Sequence, residues 1–250
     1  NGRFGNQMFQ YAATRGLAAK HKYDWCIPDG PRTDEEFVDE ENQHKLFMAF
    51  KMEGAKVVKD HPAPYEKEGS FTFDHRLFLY CPDNVNLFGY FQCEKYFKDI
   101  EKEIRQDFTW RDDVRSLCQD MFDSIGGKAI SLHIRRTDHL VKPTYHPVLP
   151  LSYYEKALEI IDTLSLDRQK NLPVLVFSDD PEWCHKQEFF SDDRFMISDS
   201  GDNITDMCLM SMCQYQIMAN STFSWWGAWL SNSKNVFAPK LWFGPDGQDP

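Results

Sequence analysis

Two adjacent arginines, Arg135 and Arg136, stand in the run His133-Ile-Arg-Arg-Thr-Asp138, and paired guanidinium groups at one point of a chain make a clamp for a pyrophosphate. Each offers a rigid fork of donors matched to phosphate oxygens, in charge-assisted bonds worth roughly 1.5 to 3 kcal/mol apiece. The residues before them, Ala129-Ile130-Ser131-Leu132, read as a buried strand. The arginines would then emerge at its carboxyl edge, where ligands bind in open α/β sheets. That combination points toward sugar-nucleotide chemistry. The same residues also suit an ordinary surface on which Arg135 and Arg136 pair with Asp138 or another carboxylate.

Other stretches carry chemistry of the same kind. Gly2-Arg-Phe-Gly-Asn-Gln7 places Arg3 and Asn6 at a turn entering a helix, where backbone N–H groups and the helix dipole receive an anion or a polar ligand. A simple turn with Asn6 as helix cap is the alternative. Near the other end, Asn220-Ser-Thr-Phe-Ser-Trp-Trp-Gly-Ala-Trp229 follows an apolar run, so Ser221, Thr222, Phe223 and Ser224 fall at a strand-to-helix turn suited to phosphate oxygens. Trp226 and Trp229 are expected in the core. A carboxylate can accept from the amino and ring N–H groups of guanine or cap a helix. Ligand binding is the expectation for Asp206 and capping for Asp179. The chain has no G-x-G-x-x-G, no G-x-x-x-x-G-K-[ST], no G-x-S-x-G and no D-x-D triplet, so nothing in it calls for a nicotinamide cofactor, a P-loop, a serine nucleophile or a metal.

To hold these residues, the second half alternates short β-rich runs (129–134, 173–177, 194–197, 215–219 and 235–238) with segments of helical spacing, the pattern of a parallel, Rossmann-like sheet. Ser152 opens a helix burying Tyr154, Ala157, Leu158 and Ile161; Pro181 opens another, and 204–212 reads as a third. In the first half, Met8, Tyr11, Ala12 and Leu17 share a helix face, 29–44 is a polar surface excursion, 85–90 is a strand and 94–104 a helix. Residues 112–127, ending in Gly-Gly, form the candidate junction, which divides the chain into domains 1–125 and 126–250.

With 250 residues, 42% of them hydrophobic, the chain can bury a sizeable core. Its 28 basic and 39 acidic residues give −11, which argues against broad attraction to nucleic acid or anionic membrane, so a phosphate ligand needs a local cluster. No apolar stretch approaches the ~18 residues of a membrane span. Seven cysteines without a C-x-x-C pair suggest buried thiols rather than a disulfide framework or zinc site. Asn203-Ile-Thr205 and Asn220-Ser-Thr222 match the glycosylation tripeptide but are not read as secretory marks.

Taken in order, GRFGNQMFQYA, HIRRTD, FSDDPEWC, NSTFSWWGAWL and APKLWF resemble the inverting α-1,2-fucosyltransferase family, with related motifs in α-1,6- and protein O-fucosyltransferases. The resemblance touches both ends and the centre, leaving 29–85 unmatched. It implies an α/β, GT-B-like fold of two Rossmann-like domains facing across a cleft, the second holding GDP-fucose. Arg135 and Arg136 would bind the pyrophosphate, His133 and Asp206 approach guanine, Ser221 to Ser224 line phosphate and fucose, and Asn6 reach the reacting centre. The expected acceptor is a galactose-terminated glycan; no metal is expected, because a permanently charged guanidinium can replace one. For the base that takes the acceptor proton, Asp138 and His139 are candidates, Asp138 equally as a group that only orients the arginines.

Related chains would place a β-strand before the first glycine motif, so residues upstream of Asn1 are expected, with any anchor or leader among them. A soluble, bacterial-type cytoplasmic enzyme is preferred; a truncated eukaryotic-type chain would instead belong at a membrane or in the Golgi lumen. Two competing readings are a catalytically silent GDP-sugar or glycan-binding protein and a Rossmann oxidoreductase, the latter disfavoured by the missing glycine fingerprint.

Overall fold

The short apolar runs of the first half are too brief to build a wide sheet. In the computed structural model, which describes residues 2–28, 45–59, 62–164 and 172–247, the chain divides into two compact units, Asn1–Arg111 and Asp112–Gly247. The first contains α1 (Phe4–His21), β1 (Ile27–Pro28), α2 (Lys45–Ala49), β2 (Val57–Val58), β3 (Tyr65–Lys67), α3 (His75–Tyr80), β4 (Asn86–Phe88) and α4 (Glu101–Asp107). Strand β1 pairs with β2 and β3 with β4, both parallel. Among the described residues this unit thus has two small ladders rather than one sheet. The 29–44 excursion lies outside the described residues.

Helix α1 buries Met8, Tyr11, Ala12 and Leu17, as their spacing predicts. Gly16 lets the helix approach closely, since a Cβ there would collide with the Tyr96 carbonyl oxygen. The single helix expected over 94–104 is instead two 3-10 turns, Glu94–Tyr96 and Lys98–Ile100, followed by α4. Tyr96 and Phe97 are neighbours in sequence and both buried; a helix turning ~100° per residue would not carry both to one face, and Phe97 breaks the run at φ −130, ψ 5.

The second unit contains α5 (Asp112–Ser124), β5 (Ile130–Ile134), α6 (Thr137–Val141), α7 (Leu151–Leu164), β6 (Val174–Ser178), α8 (Pro181–His185), β7 (Phe195–Ile197), α9 (Asn203–Met212), β8 (Tyr215–Ile217), α10 (Thr222–Ser231) and β9 (Asn235–Phe237). The segment 112–124, expected as part of a junction, is helix α5, and Gly126 and Gly127, at φ 93 and 67, turn it toward β5. The strands form one parallel sheet in the order β7-β6-β5-β8-β9. Every residue of β5 is buried, as a central strand covered on both faces requires. Strands β6 and β7 are added on one side of β5 and β8 and β9 on the other, so the topology reverses between β5 and β8, the place where such sheets receive ligands.

Helix α7 seals one face with Tyr154, Ala157, Leu158 and Ile161, the four residues its spacing predicts, packed on Ile130, Leu132, Val174 and Val176. The seven cysteines are free thiols, five of them buried. Among the described residues, no helix is long and apolar enough to cross a membrane.

Candidate functional site

Strand β5 ends at Ile134 and delivers Arg135 and Arg136 to the carboxyl edge of the sheet, beside the reversal. Neither guanidinium hangs in solvent. Arg135 reaches Asp138 Oδ1 through Nη2 at 2.8 Å and Asp179 Oδ2 through Nη1 at 3.2 Å. Arg136 donates from Nε to Asp180 Oδ2 at 3.2 Å, and its guanidinium lies 3.8 Å from the centre of the Trp183 ring. The pairing with carboxylates weighed from the sequence is therefore present. It does not remove the clamp, because it orients both forks at one strand end.

The expected cap role of Asp179 is corrected. The cap of α8 is Asp180, whose side chain accepts from Trp183 N–H. Asp179 instead reaches across from β6 to the β5–α6 turn, accepting from Arg136 N–H at 2.9 Å, from Thr137 N–H at 3.0 Å and from the Thr137 hydroxyl. One carboxylate thus fixes the turn and Arg135 together. Sequence reasoning missed this hub, along with Thr137 and Trp183; the signal was two acids at the end of an apolar run, the geometry of a strand tip, with only one needed as cap.

At β8, on the other side of β5, the chain leaves the sheet after Ile217 and enters α10. Ser221 is the N-cap, accepting from Phe223 N–H at 3.3 Å, so the positive end of the α10 dipole opens at this edge. The Ser224 hydroxyl is buried and donates to Ala219 O at 3.0 Å or Ser221 O at 3.2 Å, which makes it a brace of the turn. Phe223 packs against His133, ring centres 5.5 Å apart, joining the two motifs. Trp226 is fully buried, as expected, whereas Trp229 is only partly so. Asn220 is buried, with its amide donating to Pro147 O and Trp242 O at 3.1 Å each, so its tripeptide is not open to a glycan in the fold.

Asp206 lies in the first turn of α9, but Asp202 is the cap, accepting from Ile204 and Thr205 N–H. Asp206 Oδ1 accepts from Ser198 Oγ at 2.6 Å and Ser200 Oγ at 2.8 Å, just beyond the carboxyl end of β7. Burial raises its pKa to about 6 against the pull of those two hydroxyls.

His133 and His139 are both buried, and each has a buried Nδ1 with no hydrogen-bond partner among the described residues. Burial lowers each from the ordinary 6.5 to about 4, so both are neutral at pH 7. His139 stacks on His146, centres 5.0 Å apart. For Asp138, burial pushes the pKa up, but the charge and hydrogen bond of Arg135 outweigh it and hold the carboxyl below its usual range.

Arg3 and Asn6 belong to the first unit. The capping alternative for Asn6 is corrected, because Arg3 occupies the cap position of α1 and Asn6 lies inside the helix. Asn6 Oδ1 accepts from Gln92 Nε2 at 3.2 Å. Gln92 follows buried Phe91, which has φ 52; Glu68 holds that turn by accepting from Tyr90 and Phe91 N–H at 2.9 and 2.8 Å.

The profile of glycosyl transferase family 11 matches residues 1–242. The chain is 30% identical to the O-antigen biosynthesis glycosyltransferase WbnK of Escherichia coli, over 97% of this chain and 93% of that one. It is equally, 30%, identical to an alpha-1,2-colitosyltransferase of Escherichia coli, over 97% and 90%. To galactoside alpha-(1,2)-fucosyltransferase 1 of Rattus norvegicus it is 25% identical, over 94% of this chain and 63% of that one. Among solved structures it resembles the alpha-1,6-fucosyltransferase NodZ soaked with GDP-fucose, with TM-score 0.59, 14% identity and coverage of 96% and 92%. It also resembles POFUT1 in complex with GDP, with TM-score 0.54, 13% identity and 96% of both chains covered. These likenesses give the fold as GT-B-like α/β. The chain belongs to glycosyl transferase family 11.

Proposed function

We propose that this glycosyltransferase moves L-fucose from GDP-fucose, with inversion, to the 2-hydroxyl of a terminal β-galactoside. The observation that carries the reading is the pair Arg135 and Arg136 at the carboxyl end of β5, beside the topological reversal and the β8–α10 turn. The second unit holds the donor: the arginines on the diphosphate, Ser221 to Phe223 and the brace Ser224 at the phosphate and sugar, and His133 and Asp206 toward guanine. Acceptor contacts fall to the first unit, where the resemblance gives Asn6 a part at the reacting centre; Arg3, at the turn entering α1, is assigned to the donor.

In this reaction the anomeric C–O bond breaks while positive charge grows on the sugar and negative charge on departing GDP. Arginines held in place by Asp138, Asp179, Asp180 and Trp183 meet that negative charge without reorganising, and one preorganised donor of this type is worth about a hundred- to a thousandfold in rate. Fixed guanidinium charges can serve where other enzymes use a metal ion, so turnover is expected to survive EDTA.

The relative named a colitosyltransferase, as similar as the first, favours one second reading, in which the donor sugar lacks the 3-hydroxyl of fucose. The test is GDP release from GDP-fucose and from GDP-colitose, with a panel of β-galactosides and EDTA present, for the wild type and Arg135→Ala. Acceptor-dependent release that collapses in the variant supports the proposal, and the preferred donor decides between the sugars. Donor binding without turnover on any acceptor favours a silent binder, and no donor binding defeats the assignment.

A further inference from the structure

Tyr90 and Phe91 are neighbours in the first unit, and the fold treats them in opposite ways: Phe91 is 1% exposed and Tyr90 39%. Phe91 has φ 52, a left-handed conformation that a bulky side chain seldom adopts, and its surroundings hold it there. Glu68 Oε2 accepts from Tyr90 and Phe91 N–H at 2.9 and 2.8 Å, Gln10 Nε2 donates to Gly89 O at 3.0 Å, and Gln92 Nε2 donates to Asn6 Oδ1 at 3.2 Å. Gly89 leaves room for Glu68, since a Cβ there would stand 2.5 Å from Glu68 Cβ. The turn buries the Phe91 ring edge to face with Tyr96, centres 5.5 Å apart. It sends Tyr90 outward to lie parallel to Phe71, with centres 5.5 Å and planes 13° apart.

Strain of this kind persists only where the surroundings over-determine it, and such positions gather at binding sites. Among the described residues, the other large exposed rings of this unit are placed differently. Tyr65 and Phe88 meet edge to face, with the Lys67 ammonium over the Phe88 ring, and Tyr80 closes α3. Tyr90 combines a parallel ring neighbour with the Asn6–Gln92 amide pair close along the chain. A flat apolar surface beside amides is what a sugar requires, C–H bonds resting on the ring and hydroxyls meeting donors and acceptors. The axial 4-hydroxyl of galactose leaves one face of that sugar made of C–H bonds, and a galactose resting on that face keeps its 2-hydroxyl at the edge, clear of the support. Resting on the acceptor reading above, we infer that the outward face of Tyr90, backed by Phe71, supports the C–H face of the acceptor's terminal galactose, with the Asn6 and Gln92 amides meeting hydroxyls at its edge.

The platform lies beside Asn6, which the resemblance assigns to the reacting centre, and it divides the work of the turn. Tyr90 binds, whereas Glu68 and Gln10 are positioning residues that set the direction of the ring without touching sugar. A stacked face leaves the anomeric side of the galactose unconstrained, so the contact selects the terminal sugar rather than the residue to which it is joined. Removing the ring should therefore weaken methyl β-galactoside and lactose alike.

The experiment uses the whole chain as wild type, Tyr90→Ala and Tyr90→Phe, with methyl β-galactoside and lactose as acceptors, and measures KM, kcat and GDP-fucose affinity by calorimetry. Tyr90→Ala should raise KM for both acceptors by about tenfold, with kcat and donor affinity within about threefold of wild type; Tyr90→Phe, which keeps the ring, should recover most of the loss. Saturation-transfer NMR on the wild type, with the aromatic resonances irradiated, needs no variant to fold and should mark the galactose protons of the C–H face most strongly. Acceptor KM unchanged in Tyr90→Ala, Tyr90→Phe as poor as Tyr90→Ala, or saturation spread evenly over the galactose would overturn the inference and leave the two rings as surface packing. Donor affinity falling in step with acceptor KM would overturn it too, since the change would then act on the fold as a whole. Absence of wild-type turnover on any β-galactoside would sink the acceptor reading, and the inference with it, before any variant is compared.

Discussion

Asp206 sits where stability and ligand binding pull apart. Its pKa is raised to about 6 by burial, with the hydroxyls of Ser198 and Ser200 on one oxygen. Because the folded value lies above the unfolded one, the ionised form is a cost, fully present above about pH 6 and relieved as pH falls toward 3.8. Asp206→Asn keeps an acceptor for both hydroxyls and removes the charge. It is predicted to stabilise the chain at pH 7 by about 2 kcal/mol, with the gain gone near pH 4, and to weaken GDP binding by about tenfold, because a carboxylate accepts two N–H bonds from guanine and an amide does not. Paired melting curves and GDP titrations check this; a variant that is less stable and binds GDP normally would make Asp206 a structural brace. The same logic applies to Asp179, where Asp179→Asn removes charge from the group that holds Arg135 and two N–H groups. It should lower kcat/KM by about a hundredfold, and normal activity would deny that the hub matters.

At the scale of elements, the position of α10 against α9 sets where the Ser221 turn opens. Gly227 allows that packing: a Cβ there would stand 2.9 Å from Met210 Sδ and 3.0 Å from Met210 Cβ. The sulfur can swing away but the Cβ cannot, so Gly227→Ala is predicted to cost about 1–3 kcal/mol, with part recovered in the double variant Gly227→Ala/Met210→Gly, which removes that Cβ. Denaturant melts of the four chains in this cycle decide it; additive losses would mean that the two residues do not meet. Such packing was not legible in the sequence, where Gly227 is only one letter of a tryptophan-rich run. The strands and α7 were legible, because apolar periodicity and parallel-sheet burial repeat over several residues each. The helix read over 94–104 misled, since buried Tyr96 and Phe97 override local helical spacing. At the site the arginines could be read directly, being a rare pair at a strand end. Their partners could not, because Asp179 acts across strands on a turn some forty residues earlier, and no spacing rule reports contact at that distance.

For the whole molecule, the burial of neutral imidazoles decides how the fold meets acid. His133 and His139 fall from 6.5 to about 4 on folding because they are buried, and His146, stacked on His139, is lowered too. With folded values below unfolded ones, the folded chain binds fewer protons between about 4 and 6.5, so acidification through that window favours unfolding. Asp206 acts in the opposite direction over part of the window, but it is one group against two or three. The net loss predicted on going from pH 7 to pH 5 is about 2–3 kcal/mol. All of these histidines lie in the second unit, while in the first Glu68 is raised by burial and gains from acid. The second unit should therefore open first at pH 5, with amide exchange rising in β5 before α1. His139→Phe keeps an aromatic ring against His146 and removes one titrating group, so it should reduce the acid loss by roughly half. Exchange that rises in α1 first, or an acid loss unchanged in His139→Phe, would show that the buried imidazoles are not what limits the fold in acid.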